Sequence, residues 1–139
     1  MALARECAWG AAARVRERWV PRLSALPVRL EKEWLELCDQ EVNVVGGELG
    51  VYEIGDTTGA TLYIGYAGGN ATYGLRGELR RQLDAHVGGG RRFRYEINMQ
   101  YMSRWQELLM VHQSDHACLP TMQGSDRPAR LGRLDPGSR

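Results

Sequence analysis

A chain of 139 residues, 43% of them hydrophobic and 25% charged, has the size and composition of one globular domain carrying at most an extension. No apolar run approaches the roughly 18 residues that a membrane-spanning helix requires, so a spanning segment is excluded. The net charge of +1 conceals an asymmetry: from Glu31 to Asp56 the acids face Lys32 alone, whereas from Ala71 to Arg104 arginines outnumber Glu78, Asp84 and Glu96. Cys7, Cys38 and Cys118 are odd in number and lack metal-type spacing, which suits free thiols in a reducing intracellular compartment.

Residues 3–20, rich in Ala, Leu, Arg and Glu, read as a helix that Pro21 ends. Residues 28–41 read as a second helix, because Leu30, Trp34, Leu37 and Cys38 recur at i, i+4, i+7 and i+8. Residues 1–47 are thus expected to be an N-terminal helical extension. Apolar runs at 49–54 and 61–66 flank the turn-forming Gly55-Asp56-Thr57-Thr58-Gly59 and read as a hairpin. Leu75, Leu79 and Leu83 predict a helix over 75–86, and Gly88-Gly89-Gly90 supply its stop. Phe93, Tyr95, Ile97, Met99 and Tyr101 alternate with polar residues, which predicts a strand over 93–101. Ser103 and Gln106 form a capping box for a helix over 103–113. From Gly124 the chain is aperiodic, so 124–139 is expected to be a flexible tail. The expected fold class is α+β: a small antiparallel three-stranded sheet flanked by helices, in the core order β-β-α-β-α over residues 48–123.

The residues suited to chemistry lie in that core. Gly50-Val51-Tyr52 and Tyr63-Ile64-Gly65 set two tyrosines on adjacent strands of one hairpin. An arginine-bearing helix follows, then a strand, then Trp105-Gln106-Glu107-Leu108-Leu109 on the last helix. A tyrosine has an unperturbed pKa near ~10, so it serves as a base only beside cations that depress that value, or as a relay beside a metal-bound water.

In these motifs and their order the chain resembles the GIY-YIG nuclease family over about residues 49–123. The resemblance implies a metal-dependent endonuclease that hydrolyses phosphodiester bonds of DNA or RNA. Tyr52 and Tyr63 would relay or remove the proton of the attacking water. Arg76, with Arg80, would hold the scissile phosphate, and Glu107 would bind Mg2+ or Mn2+. Arg80, Arg91, Arg92 and Arg94 supply a basic stretch for the nucleic-acid backbone. Pro120 and Gln123 stand where the family often carries proline and, three residues later, asparagine.

The chain departs from the family at two places. The register of the family's catalytic arginine, counted from Leu75, lands on Glu78, and Tyr66 stands where many relatives carry lysine. Two readings are therefore open: an active nuclease, and a catalytically silent domain of the same fold that binds nucleic acid or a protein partner. The N-terminal helices offer a surface for a partner or for self-association. His112 and His116, four apart and close to Asp115 and Cys118, raise a zinc site. Because His112 continues the apolar stripe of its helix, a packed or capping histidine is the preferred reading.

Overall fold

The computed structural model describes residues 28–86 and 90–134, so the helix expected over 3–20 lies outside the described residues. The elements are β1 (Leu35–Glu36), α1 (Asp39–Asn43), β2 (Gly50–Asp56), β3 (Thr61–Ala67), α2 (Gly74–Ala85), β4 (Arg91–Ile97) and α3 (Tyr101–His116). Among the described residues the sheet has four strands, all antiparallel, in the order β1-β4-β2-β3. The fold is α+β, but the three-stranded sheet is corrected to four.

The extra strand comes from the segment expected to be a helix over 28–41. Its apolar residues do not share one face. Leu30 joins the core on the α3 side of the sheet, whereas Leu37 joins the core on the α1–α2 side. A helix with one stripe cannot reach both sides. An extended chain crossing the sheet can, and Leu35 and Glu36 pair with Phe93 and Arg92 on the way. Residues 28–47 therefore share the core of the domain: Leu37, Val42 and Val45 are buried in it.

β2 is an interior strand, between β4 and β3, and is buried over Gly50–Gly55. Its alternation is hidden because both faces are covered. Tyr52 and Ile54 point toward Leu75 and Leu79 of α2, and Val51 points toward Trp105, Leu108 and Leu109 of α3. The hairpin turn is fastened by Asp56, whose Oδ1 accepts from the N–H of Thr58 (2.9 Å), the Thr58 hydroxyl (2.6 Å) and the N–H of Ala60 (3.1 Å). This side-chain turn is a standard use of aspartate beside glycine, and Gly59 takes the left-handed φ of 91°.

β4 ends at Ile97, four residues before the expected Tyr101. The N–H of Asn98 still bonds to Leu49 O, after which the Asn98 side chain accepts the Gln100 N–H at 2.7 Å and turns the chain. α3 then starts at Tyr101 rather than Ser103, with Gln100 as its N-cap and no side-chain cap. The described residues beyond Gly124, up to 134, lack helix and strand, yet Leu131 packs against the α3-side core.

Candidate functional site

The register of the central hairpin decides where the tyrosines go. Tyr52 lies opposite Gly65 and Ile54 lies opposite Tyr63, so both tyrosines project from the same face. Gly65 has no side chain, and the Tyr52 ring lies over it toward Tyr63, with ring centroids 6.1 Å apart and planes inclined by 42°. The glycine of the second motif is thus what lets the two rings meet.

Both hydroxyls are engaged. Gln82 Nε2 donates to the Tyr52 hydroxyl at 3.3 Å, and the Tyr63 hydroxyl donates to Asp126 Oδ2. Burial, then the nearby Glu78 charge, pushes the Tyr52 phenol above the ordinary tyrosine range. Burial and the bond to Asp126 do the same for Tyr63. Each shift favours the neutral phenol, the opposite of what a tyrosine base needs.

The pair opens into a cleft of about 430 Å³ lined also by Tyr66, Tyr101, Met102, Asn70, Glu78, Arg81 and Asp126. Tyr66 and Tyr101 stack at 5.8 Å and 13°, and the Gly69 N–H donates to the Tyr101 hydroxyl at 3.2 Å. Glu78 is paired with Arg81 at 3.2 Å, although the Arg81 side chain is 71% exposed. Such an exposed pair is worth about 0–1 kcal/mol, so Arg81 is weakly held. With two carboxylates against one guanidinium, the cleft is acidic.

The other residues expected at the site lie elsewhere, and helix rotation explains why. At 100° per residue from Leu75, Arg76 and Arg80 fall on one flank of α2, while Glu78, Arg81 and Gln82 fall on the other. The first flank rests on α1. Arg76 donates to Val45 O at 3.5 Å, and Arg80 bonds to Asp39 at 3.4 Å and to Asn43. Neither lines the cleft; the position named by the arginine register, Glu78, does.

Glu107 is likewise turned away. α3 presents Tyr101 and Met102 to the cleft, and Glu107 bonds instead to Arg104 at 2.5 Å. Buried Arg104 also donates to both oxygens of Glu96, at 3.0 and 3.1 Å, and to Val28 O at 2.6 Å. Glu107 therefore does not fit a divalent-metal ligand at the tyrosine cleft. Among the described residues, no group of three or more His, Cys, Asp and Glu is placed to hold a metal ion. The His112 and His116 rings pack at 4.4 Å, and His112 Nδ1 lies 2.8 Å from Cys118 O, so these histidines pack and cap.

The arginines of β4 are separated from the tyrosine strand β3 by β2. Arg94 is consumed by the fold: it grips buried Glu53 at 2.8 Å and stacks its guanidinium 4.2 Å from the centre of the Trp34 ring. Arg91 and Arg92 lie opposite Asp56 and Gly55, with Arg92 exposed. A larger cavity, about 1040 Å³, lies on the α3 side of the sheet between residues 29–34 and the end of α3. Two ion pairs line it, Glu53 with Arg94 and Asp115 with Arg29, together with Glu31, Lys32 and Glu33.

Several cleft residues were missed in the sequence. Glu78 and Arg81 carried a signal, since opposite charges three apart beside a buried leucine stripe mark one helix flank. Asp126 carried none. It reaches Tyr63 because Gln123, 2% exposed, clamps the preceding segment to β3: its Oε1 accepts the Ile64 N–H at 3.0 Å and its Nε2 donates to Ile64 O at 2.8 Å.

The protein family described as Domain of unknown function (DUF7508) matches residues 28–115, more than half of the chain. The chain belongs to that family. The DUF7508 match takes in the sheet, α1, α2 and most of α3, and with them Tyr52, Tyr63, Glu78, Arg81 and Tyr101; it stops short of Asp126. No curated protein and no solved structure matches the chain. Among the described residues no helix is long and apolar enough to cross a membrane.

Proposed function

We propose that this DUF7508 domain is a catalytically silent relative of the GIY-YIG nucleases, in which the tyrosine cleft serves as a binding site. The observation that carries the reading is the acidic flank of α2: where the resemblance calls for a cation against the tyrosine pair, the cleft has Glu78. Phosphodiester hydrolysis needs charge neutralisation on the phosphoryl oxygens. Glu78 and Asp126 oppose it, Arg81 alone favours it, and the glutamate expected to bind Mg2+ or Mn2+ is held by Arg104. The neutral phenols of Tyr52 and Tyr63 suit hydrogen bonding and ring contact better than proton abstraction.

Arg81 is the single feature that favours the nuclease reading, because it stands beside the tyrosines and its side chain reaches solvent. A cleavage assay separates the two. The purified full chain is incubated with branched, single-stranded and duplex DNA and RNA, in Mg2+ and in Mn2+. No turnover above a protein-free blank is expected. Metal-dependent cleavage that Tyr63→Phe and Arg81→Ala both abolish would overturn the proposal.

A further inference from the structure

We infer that the larger cavity, on the α3 side of the sheet, is the seat of residues 1–27 of the same chain, which dock there through their tryptophans and arginines. The inference is independent of the reading of the tyrosine cleft. The cavity, about 1040 Å³, opens between residues 29–34 and the end of α3, with Leu30, Leu108, Val111 and Leu119 among its apolar walls. Val111 stands out among these. It is 4% exposed, yet among the described residues it joins neither core cluster. An apolar side chain so far withdrawn from water is covered by neighbours in contact with it.

Helix geometry says which part of the chain is nearest. At 100° per residue, Val111 shares a flank of α3 with Arg104 and Asp115, about 20° and 40° away. Both hold the point at which the chain enters the described fold: Arg104 donates to Val28 O at 2.6 Å, and Asp115 pairs with Arg29 at 2.9 Å. Arg29 and Asp115 each also engage in an interaction beyond this pair. The chain preceding Val28 therefore sets out from the flank on which Val111 is buried. The nine steps of chain from Trp19 to Val28 reach at most about 30–32 Å, whereas α3 rises only about 16–17 Å from Arg104 to Asp115. The whole cavity is within reach of Trp19, and so short a tether gives an effective concentration on the order of mM.

Composition fits the segment to the cavity. Residues 1–27 carry Trp9, Trp19, Val20 and Leu23, and their arginines, at 5, 14, 16, 18 and 22, exceed Glu6 and Glu17 by three charges. The cavity has the opposite excess, with Glu31, Glu33, Glu53 and Asp115 against Arg29, Lys32 and Arg94. Glu53 and Asp115 are paired in the walls, so the excess sits at the exposed rim residues Glu31 and Glu33. An acidic rim attracts an arginine-rich segment, and apolar walls behind it accept indole rings.

The test uses the full chain with Trp19 replaced by the photoreactive aromatic p-benzoylphenylalanine. It is irradiated at low micromolar concentration, and the crosslinks are mapped by peptide mass spectrometry. Crosslinks within one chain are expected on the cavity wall, from Leu108 to His116 and over residues 118–121. Val111→Glu places a carboxylate on the covered spot. Glu31→Lys combined with Glu33→Lys reverses the rim at exposed positions and leaves the core untouched. Each should lower the crosslink yield about threefold or more, and added salt should restore part of the yield in the lysine variant. If Val111→Glu does not fold, the lysine variant decides alone. Crosslinks confined to another face, the tyrosine cleft included, would overturn the inference. So would crosslinks that join two chains and grow with concentration, which would make a second copy the occupant. No crosslink at all, or a yield that the lysine variant leaves unchanged, would overturn it as well.

Discussion

Gly65→Ala tests whether the second motif's glycine exists to let the tyrosines converge. A Cβ at Gly65 would lie 2.5 Å from the Tyr52 hydroxyl oxygen, 2.6 Å from Cζ of the same ring and 2.7 Å from Cε2 of Tyr63. Carbon atoms pack at about 3.5–4.0 Å, so the rings must retreat by roughly 1 Å. Tyr52 is 1% exposed and set in the core with Leu75 and Leu79, so it has no room to do so without strain. Overpacking of this kind costs about 1–3 kcal/mol, and the reduced freedom of the unfolded chain returns about 0.4–1 kcal/mol. A net loss of about 1–2 kcal/mol is expected from urea unfolding followed by circular dichroism. The discriminating measurement is the cycle with Tyr52→Leu. With that ring gone, the Tyr63 ring can shift away from the new methyl into the vacated space, and the alanine should cost much less. A coupling of about 1 kcal/mol or more between positions 52 and 65 is therefore expected. If Gly65→Ala is neutral, or if the two changes simply add, the steric account of the motif is wrong.

Alkaline pH should unfold the protein through Tyr52. Its folded-state pKa is raised, so its contribution is intact below the unfolded value near ~10 and is lost above it, at about 1.4 kcal/mol per pH unit. Tyr52→Phe should flatten the fall of the urea midpoint above about pH 10, and an unchanged slope would contradict the assignment. Arg94→Met should leave Glu53 buried without its partner, at a cost of about 3–5 kcal/mol near neutrality. Burial already raises the Glu53 pKa against the pull of Arg94, so the variant should lose stability as pH rises past the ordinary carboxylate range near ~4.3 and recover when acidified. A deficit that is the same at both ends of a pH series would exclude Glu53 as its source. Arg104→Met should cost about 2–4 kcal/mol, because Glu96 and Val28 O both lose a donor. Glu107→Gln should cost less than about 1 kcal/mol, since its partly exposed carboxylate binds only one arm of that arginine. Thermal unfolding of the two variants compares them directly, and a Glu107→Gln loss equal to that of Arg104→Met would show that Glu107 does more than this pairing explains.

Local pattern alone was enough for the hairpin, for the helix carrying Leu75 and Leu79, for the strand through Phe93 and for the last helix. In the two helices the apolar period marks the packed face, in the strand through Phe93 it does so as far as Tyr95, and the hairpin is legible from its apolar runs and turn because β2 is buried on both faces. Pattern failed at Leu30 to Cys38, where a helical spacing arose from an extended chain that buries successive leucines on opposite faces of a sheet. No window of sequence contains that sheet. The two tyrosines were legible as a pair because hairpin register is local. Their partners were not. Arg76 and Arg80 were two residues of the right type on the wrong flank of α2, since rotation is set by how Leu75 and Leu79 seat on β2. Glu107 was drawn to Arg104 by a network that joins α3 to Glu96 of β4, and Asp126 was brought to Tyr63 by the grip of Gln123 on Ile64. Residue type and spacing determine which chemistry a chain carries, whereas the convergence of side chains from separate elements is settled by tertiary packing, which joins positions that sequence distance cannot relate.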